Sequence, residues 1–272
     1  VGLGASRKSL LIALGGGVVG DVAGFVASIY MRSIPYIQVP TTLLAQVDSS
    51  VGGKTGVDLP EGKNLVGTFH QPKAVYIDLS VLKTLSDRDF GNGMAEIIKY
   101  SIIADHGLFE LLERENAGIK KRDISLMKDL VQRSCRIKAK IVEMDEKESD
   151  LRRVLNFGHT LGHALEAASA YGLSHGEAVA IGMVGAAKIS YKLNHLDEGS
   201  CERMVDLIES YGLPIRIPAG METGQITGFM TTDKKAEAGQ LYFVLTKAIG
   251  MPFVTPEVPP EVLVEAIEEL KQ

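Results

Sequence analysis

The chain has 272 residues, 45% of them hydrophobic and 23% charged, with a formal net charge of -5. That length accommodates one large domain or two ordinary ones, each with a sizeable core. The acidic balance argues against a nucleic-acid or membrane-surface role, so the Lys and Arg residues are read locally rather than as a basic field.

Val1-Gly2-Leu3-Gly4 has no signal-peptide layout and no initiator Met, and the expectation is a fragment or a trimmed chain. Leu10 to Leu14 is an apolar run of strand length, ending in Gly15-Gly16-Gly17. Val18 to Ala27 follows with small and apolar residues at helical spacing. Strand, glycine turn and helix make half of a dinucleotide-binding unit. Tyr36 to Val39 and Ala74 to Asp78 read as further strands, with a glycine-rich, basic loop region over 51–64 between them.

After about residue 85 the pattern turns helical, with helices predicted over 87–103, 107–115, 122–145, 158–171, 175–193, 198–210, 222–230 and 260–271. Gln240 to Leu245 reads as a lone late strand or extended segment. The fold class is α/β plus α, in two domains: a truncated α/β unit over 1–85 and a mainly helical one over 86–272. No apolar run approaches a membrane span, because glycines and charges interrupt every candidate. Cys135 and Cys201 stand in unrelated contexts, which points to a reducing compartment, the cytoplasm.

Three of the six histidines fall within seventeen positions: His159, His163 and His175. His159 and His163 are four apart, so on a helix they project from one face. Alone, His-x3-His is also compatible with an ordinary helix start carrying an incidental histidine. His175 and the Ala95-Glu96 segment shift the balance towards metal. Glu96 is surrounded by Ile97, Ile98 and Ile102 on a buried helix, where a carboxylate needs a partner or an ion. It is the best third ligand for a two-histidine, one-carboxylate zinc site with an open position. Lys99, three residues on, is also compatible with a plain ion pair to it.

The Gly15-Gly16-Gly17-Val18-Val19-Gly20-Asp21 turn departs from the usual G-x-G-x-x-G register but has similar physics, since glycines admit a pyrophosphate and the helix offers free N–H groups. A ligand-free strand-to-helix turn is the competing reading. Gly52-Gly53-Lys54-Thr55-Gly56 resembles the end of a P-loop, but Asp48 stands where the first glycine is required, which rules out an ATPase. Lys54 and Lys63 can still meet an anion as point charges. Arg152 and Asn156, four apart and leading into the histidine motif, are better site candidates than the charges of the 122–145 helix.

In one order the chain carries the glycine turn, Pro40-Thr41-Thr42, Gly52-Gly53-Lys54-Thr55-Gly56, Ala95-Glu96-x-x-Lys99, Gly158-His159-Thr160-x-Gly162-His163, His175-Gly176-Glu177 and Asp233-Lys234-Lys235. That series, spanning essentially the whole chain, resembles the 3-dehydroquinate synthase family of the shikimate pathway. The Pro40 to Asp48 segment with Gly52-Gly53-Lys54 is highly specific for the sugar-phosphate cyclases of that type. The resemblance implies a truncated Rossmann-like NAD-binding domain followed by a helical metal- and substrate-binding domain. It implies Glu96, His159 and His175 as ligands of zinc or cobalt, with His163 in the substrate site instead of on the metal. Gly17, Val18, Val19, Gly20, Asp21, Thr41, Thr42, Lys54, Lys63, Val81, Leu82, Lys83 and Thr84 would line the NAD site. Asp48, Asn64, Lys99, Lys138, Glu148, Arg152, Asn156 and one of Lys234 and Lys235 would surround the substrate. The arginine matching Arg32 reaches a neighbouring subunit's site in the family, which implies a homodimer.

The implied reaction cyclises a seven-carbon keto acid phosphate, 3-deoxy-D-arabino-heptulosonate 7-phosphate, to 3-dehydroquinate with loss of phosphate. In it NAD is used catalytically: a hydroxyl is oxidised, phosphate is eliminated, the hydride is returned, and ring opening and aldol closure follow. Lys54, Asn64, His163 and a lysine of the Asp-Lys-Lys motif would form the phosphate pocket. Arg152 and Lys138 would take the carboxylate and hydroxyls, Asp48 and Lys99 further hydroxyls, and the substrate phosphate would itself serve as base. Two departures stand out: a further N-terminal segment usual in the family precedes the point where this chain starts, so weak NAD binding is expected, and Ser33 and Asp58 replace the usual Gly and Asn. The alternatives are a cyclase of the 2-deoxy-scyllo-inosose or sedoheptulose-phosphate type, disfavoured by Arg152, a metal-dependent polyol dehydrogenase, which would release NADH, and a non-catalytic scaffold.

Overall fold

The computed structural model describes residues 4–59, 62–145, 151–236 and 241–272, with the side chains of 62–64 and 231–236 outside that description. In chain order the elements are β1 (Leu11–Gly15), α1 (Gly17–Ile29), β2 (Tyr36–Pro40), β3 (Lys54–Leu59), β4 (Gly62–Phe69) and β5 (Ala74–Val75). Then come α2 (Asp87–Ala104), α3 (His106–Arg114), α4 (Asn116–Lys120), α5 (Ile124–Met144), α6 (His159–Ala168), α7 (His175–Lys192), α8 (Glu198–Ser210) and α9 (Thr223–Ala236). β6 (Phe243–Thr246), β7 (Pro252–Thr255) and α10 (Pro260–Glu269) close the chain. It divides into two compact units, Val1–Gly93 with Arg122–Val142 and Met94–Lys121 with Glu143–Gln272, so the division falls inside α2. No helix among the described residues is long and apolar enough to cross a membrane.

The first unit is built on a parallel sheet in the order β1-β2-β5. Its register runs from Leu11 beside Tyr36 to Gly15 beside Pro40, then Ile37 beside Ala74. α1 turns its smallest residues, Gly20, Gly24 and Ala27, inward. A Cβ on Gly24 would meet the Tyr36 hydroxyl at 3.0 Å, so the helix lies closer to the sheet than a larger residue permits. Ala27, Ile34 and Tyr36 form a small core cluster.

The glycine-rich stretch expected to be a loop over 51–64 is in large part an antiparallel hairpin, β3 with β4. Its pairing runs on through Val66 and Thr68, beyond the stretch that looked loop-like, with Thr55 beside Thr68 and Val57 beside Val66. Gly56 and Gly67 face one another there, and a Cβ on Gly56 would lie 2.8 Å from the Val66 carbonyl oxygen. These glycines serve close strand approach rather than loop freedom.

The second unit centres on α7, which is buried almost all round from Ala178 to Ser190. Such a helix belongs inside a core. α6, α8, α10 and β6 pack against it. The late extended segment is not alone: β6 pairs with β7, Phe243 beside Thr255 and Thr246 beside Pro252. Pro252 at the strand end hid that partner, since proline within an apolar run argues against a strand.

Candidate active site

Two helix starts and one buried helix face build the site in the second unit. α6 begins at His159, preceded by Gly158 at φ +79, a left-handed conformation that glycine adopts without penalty. α7 begins at His175 through a capping box, in which the Ser174 hydroxyl accepts from the Glu177 N–H and the Glu177 carboxylate accepts from the Ser174 N–H at 2.7 Å. The two helices cross at glycines. A Cβ on Gly162 would sit 3.2 Å from backbone atoms of Ala178 and Val179, and one on Gly182 would collide with the Gly158 carbonyl oxygen. That crossing brings the His159 and His175 rings to 5.3 Å between centroids.

Glu96, fully buried on α2, completes the group. Its Oε1 lies 3.2 Å from His175 Nε2 and 3.5 Å from His159 Nε2. Its Oε2 forms an ion pair with the Lys99 ammonium, without the alignment of a hydrogen bond to that or any other described group. The ligand atoms of Glu96, His159 and His175 all lie within 4.8 Å of one another. Two imidazole nitrogens and one carboxylate oxygen are the donor set of a catalytic zinc or cobalt site. His159 Nδ1 lies 3.1 Å from the Phe157 carbonyl oxygen, which turns Nε2 to Glu96 as the nitrogen that could hold an ion.

The electrostatics fit the same use. Burial alone would raise the Glu96 carboxyl, but Lys99 and the two histidines outweigh it and hold it well below the usual carboxylate range. Burial pushes His159 down, with Lys99 adding to the effect, so this imidazole is kept neutral. Burial likewise opposes charge on His175, yet Glu166 and Glu96 overcome it and push it up to about 9. A cation is therefore favoured where the imidazoles meet the carboxylate.

His163, expected on the same helix face as His159, is exposed, and its ring stands 5.4 Å from that of His159. It falls in a second trio with Glu166 and His175 and not with Glu96. Glu166 was missed from the sequence, although 159, 163 and 166 share one helix face. Arg152 is buried at the start of the 3-10 turn Leu151–Asn156, its N–H donating to Asp145 at 3.1 Å, and Asn156 ends that turn half-buried.

In the first unit, Gly17, Val18, Val19, Gly20 and Asp21 form the opening of α1, which has no side-chain cap. The Thr41 N–H donates to the Gly15 carbonyl at 2.9 Å, and a Cβ on Gly16 would touch Thr42 at 3.1 Å, so both threonines sit against the glycine turn. Lys138 donates to the Asp48 carboxylate and to its carbonyl, each at 2.8 Å. Burial pushes Asp21 up to about 6, against Lys138 and with Asp48 and Asp58 adding to the rise, which places all four in one electrostatic neighbourhood. Lys54 is exposed on β3. Of the 81–84 stretch, Val81 is half-buried, Lys83 and Thr84 are exposed, and Leu82 is a core side chain. Arg32 is exposed at the opposite end of α1, in a run of three positive φ values from Met31 to Ser33. Glu148 lies outside the described residues, as do the side chains of Lys63, Asn64, Lys234 and Lys235.

Residues 2–92 match the 3-dehydroquinate synthase N-terminal family and residues 93–236 the 3-dehydroquinate synthase C-terminal family. A 3-dehydroquinate synthase of Pelobacter propionicus is 52% identical over 248 residues, covering 91% of this chain and 69% of that protein. One from Thermodesulfovibrio yellowstonii is 48% identical over 267 residues, 98% of this chain and 74% of that protein. Among solved structures, a 2-epi-5-epi-valiolone synthase from Streptomyces hygroscopicus with NAD+ and Zn2+ bound superposes with a TM-score of 0.93 at 30% identity, over 99% of this chain and 75% of that one. A 2-deoxy-scyllo-inosose synthase complexed with carbaglucose-6-phosphate, NAD+ and Co2+ gives 0.89 at 31%, over 98% and 76%. An NADH-dependent butanol dehydrogenase from Thermotoga maritima, 16% identical with a TM-score of 0.67 over 96% and 76%, shares the fold. With both halves of the profile matched in order, and relatives of that name near half-identical along the chain, this protein belongs to the 3-dehydroquinate synthase family.

Proposed function

We propose that the chain performs its family's reaction at a metal centre held by Glu96, His159 and His175. The activity is the conversion of 3-deoxy-D-arabino-heptulosonate 7-phosphate to 3-dehydroquinate and phosphate, a carbon–oxygen lyase step of the shikimate pathway. The observation that carries the assignment is the convergence of a fully buried carboxylate and two imidazole nitrogens within 4.8 Å. Three protein ligands leave a coordination position for substrate hydroxyls. When bound, the ion supplies Lewis acidity to the hydroxyl being oxidised, and NAD supplies a reversible hydride acceptor.

The chain's own groups do the rest. The opening of α1, with uncapped N–H groups beside Thr41 and Thr42, would take the NAD pyrophosphate. Lys54, Lys63 and the 81–84 turn would flank it. Lys99 and Lys138 would donate hydrogen bonds to substrate oxygens from their ammonium groups, with Asp48 orienting Lys138. Arg152 would fix the substrate carboxylate through its planar fork. Asn64, Asn156, His163, Glu148 and a lysine of Lys234-Lys235 would complete the phosphate and hydroxyl contacts. We read the protein as a homodimer, with exposed Arg32 directed to the neighbouring subunit, and place it in the cytoplasm, where thiols such as Cys135 and Cys201 stay reduced.

The test is an assay with catalytic NAD and a divalent metal. Phosphate release should match 3-dehydroquinate formation with no net NADH, and His159→Ala should lose both activity and bound zinc. Net NADH would instead indicate a dehydrogenase. Turnover of glucose 6-phosphate in place of the keto acid phosphate would move the chain to the inosose-synthase branch.

A further inference from the structure

We propose that Glu166 is a positioning residue for the metal centre, holding the ring of His175 so that Nε2 faces the ion. The inference rests on the reading of Glu96, His159 and His175 as ligands. His175 has carboxylates on both sides: Glu96 Oε1 lies 3.2 Å from Nε2, and Glu166 Oε1 lies 3.7 Å from Nδ1. The second value is an ion-pair distance and not yet a hydrogen bond. When an ion takes the place of the proton at Nε2, the imidazole keeps one N–H, and an acceptor at Nδ1 holds that proton there with Nε2 turned to the metal.

The other two ligands are held in comparable ways. The Phe157 carbonyl faces Nδ1 of His159, and Lys99 pairs with the far oxygen of Glu96. Glu166 supplies the matching contact for His175, the most exposed of the three. It projects from α6, the helix that His159 opens, so one helix carries both a ligand and the support for another. Buried at 5% exposure, its carboxylate is an acceptor shielded from water, suited to the Nδ1–H of His175. Metal-bound histidines ordinarily have such an outer partner, and its loss costs about 10- to 100-fold in metal affinity.

Zinc affinity of the whole chain, measured by chelator competition after stripping, tests this with Glu166→Gln, Glu166→Met and His159→Ala. Gln keeps an acceptor without charge, and Met keeps the volume with neither. Affinity should fall in the order Glu, Gln, Met, by about 10- to 100-fold at Met. The melting temperature of the metal-free protein should not fall in parallel. In 15N spectra of the zinc-loaded protein, the hydrogen-bonded Nδ1 proton of His175 should be present in the parent and absent in Glu166→Met. Parent-like affinity in both Glu166 variants, with zinc lost from His159→Ala, would overturn the role of Glu166 alone. Parent-like affinity in His159→Ala as well would overturn the ligand set beneath it. A second zinc per chain, removed by both Glu166→Met and His163→Ala while the first keeps its affinity, would make Glu166 a ligand of the other trio and likewise overturn the proposal.

Discussion

Asp21 shows how the first unit bears a cost in its own fold. Burial raises its carboxyl from 3.8 to about 6, because the charged form loses water at the start of α1 and Lys138 compensates only partly. Between those two values the native protein keeps a proton that the unfolded chain has released. Stability therefore declines as pH rises through that window and stays lower above about 6. Asp21→Asn removes the ionisation. Urea titrations should find the variant more stable than the parent at neutral pH and equal to it below 3.8. A variant no more stable than its parent at neutral pH would show that the carboxylate is well paired as it stands. Glu96 is the opposite case: it is the more deeply buried of the two, yet Lys99 and the two imidazoles around it outweigh burial and hold its carboxyl well below the usual range.

Among the elements, the crossing of α6 and α7 decides whether the site exists. His159 and His175 each open a helix, so their rings meet only if the helix starts are pressed together, and Gly158, Gly162 and Gly182 allow that approach. Gly182→Ala places a methyl group against the Gly158 carbonyl, which nothing flexible can relieve. We expect a loss of about 3 kcal/mol or more, at the upper end of core overpacking. The zinc affinity should fall in the same variant, and parent-like denaturation and metal binding would refute the close crossing. The histidines, the glycine turn and the glutamate could be read from the sequence because each sits in a short local motif. Glu166 could not, since its role depends on the ring of a residue nine positions on and on another helix. The β3–β4 hairpin was hidden for a related reason: Gly56 and Gly67 look like loop residues until their strands are seen side by side.

At the scale of the molecule, the chain path and the compact units do not coincide. The segment Arg122–Val142, most of α5, belongs with the first unit, although the residues before and after it in sequence belong with the second. Helical periodicity reports which face of α5 is apolar but not which unit that face joins, so the sequence supported only one boundary. All three proposed ligands fall in the second unit. A ligand that binds only the folded state stabilises what must unfold to release it, by about 4 kcal/mol at a thousand times its dissociation constant. Zinc added to the stripped protein should therefore slow amide hydrogen exchange in α6, in α7 and in α2 after Met94. β1, β2 and α5 should gain much less, since sub-global openings follow compact units. The behaviour of α5 is the sharpest part of this comparison: by sequence it lies between segments that carry the proposed ligands, and by packing it does not belong to them. Protection of α5 equal to that of α7 would mean that the units open together, and the separate stabilisation of the second unit by zinc would have to be abandoned.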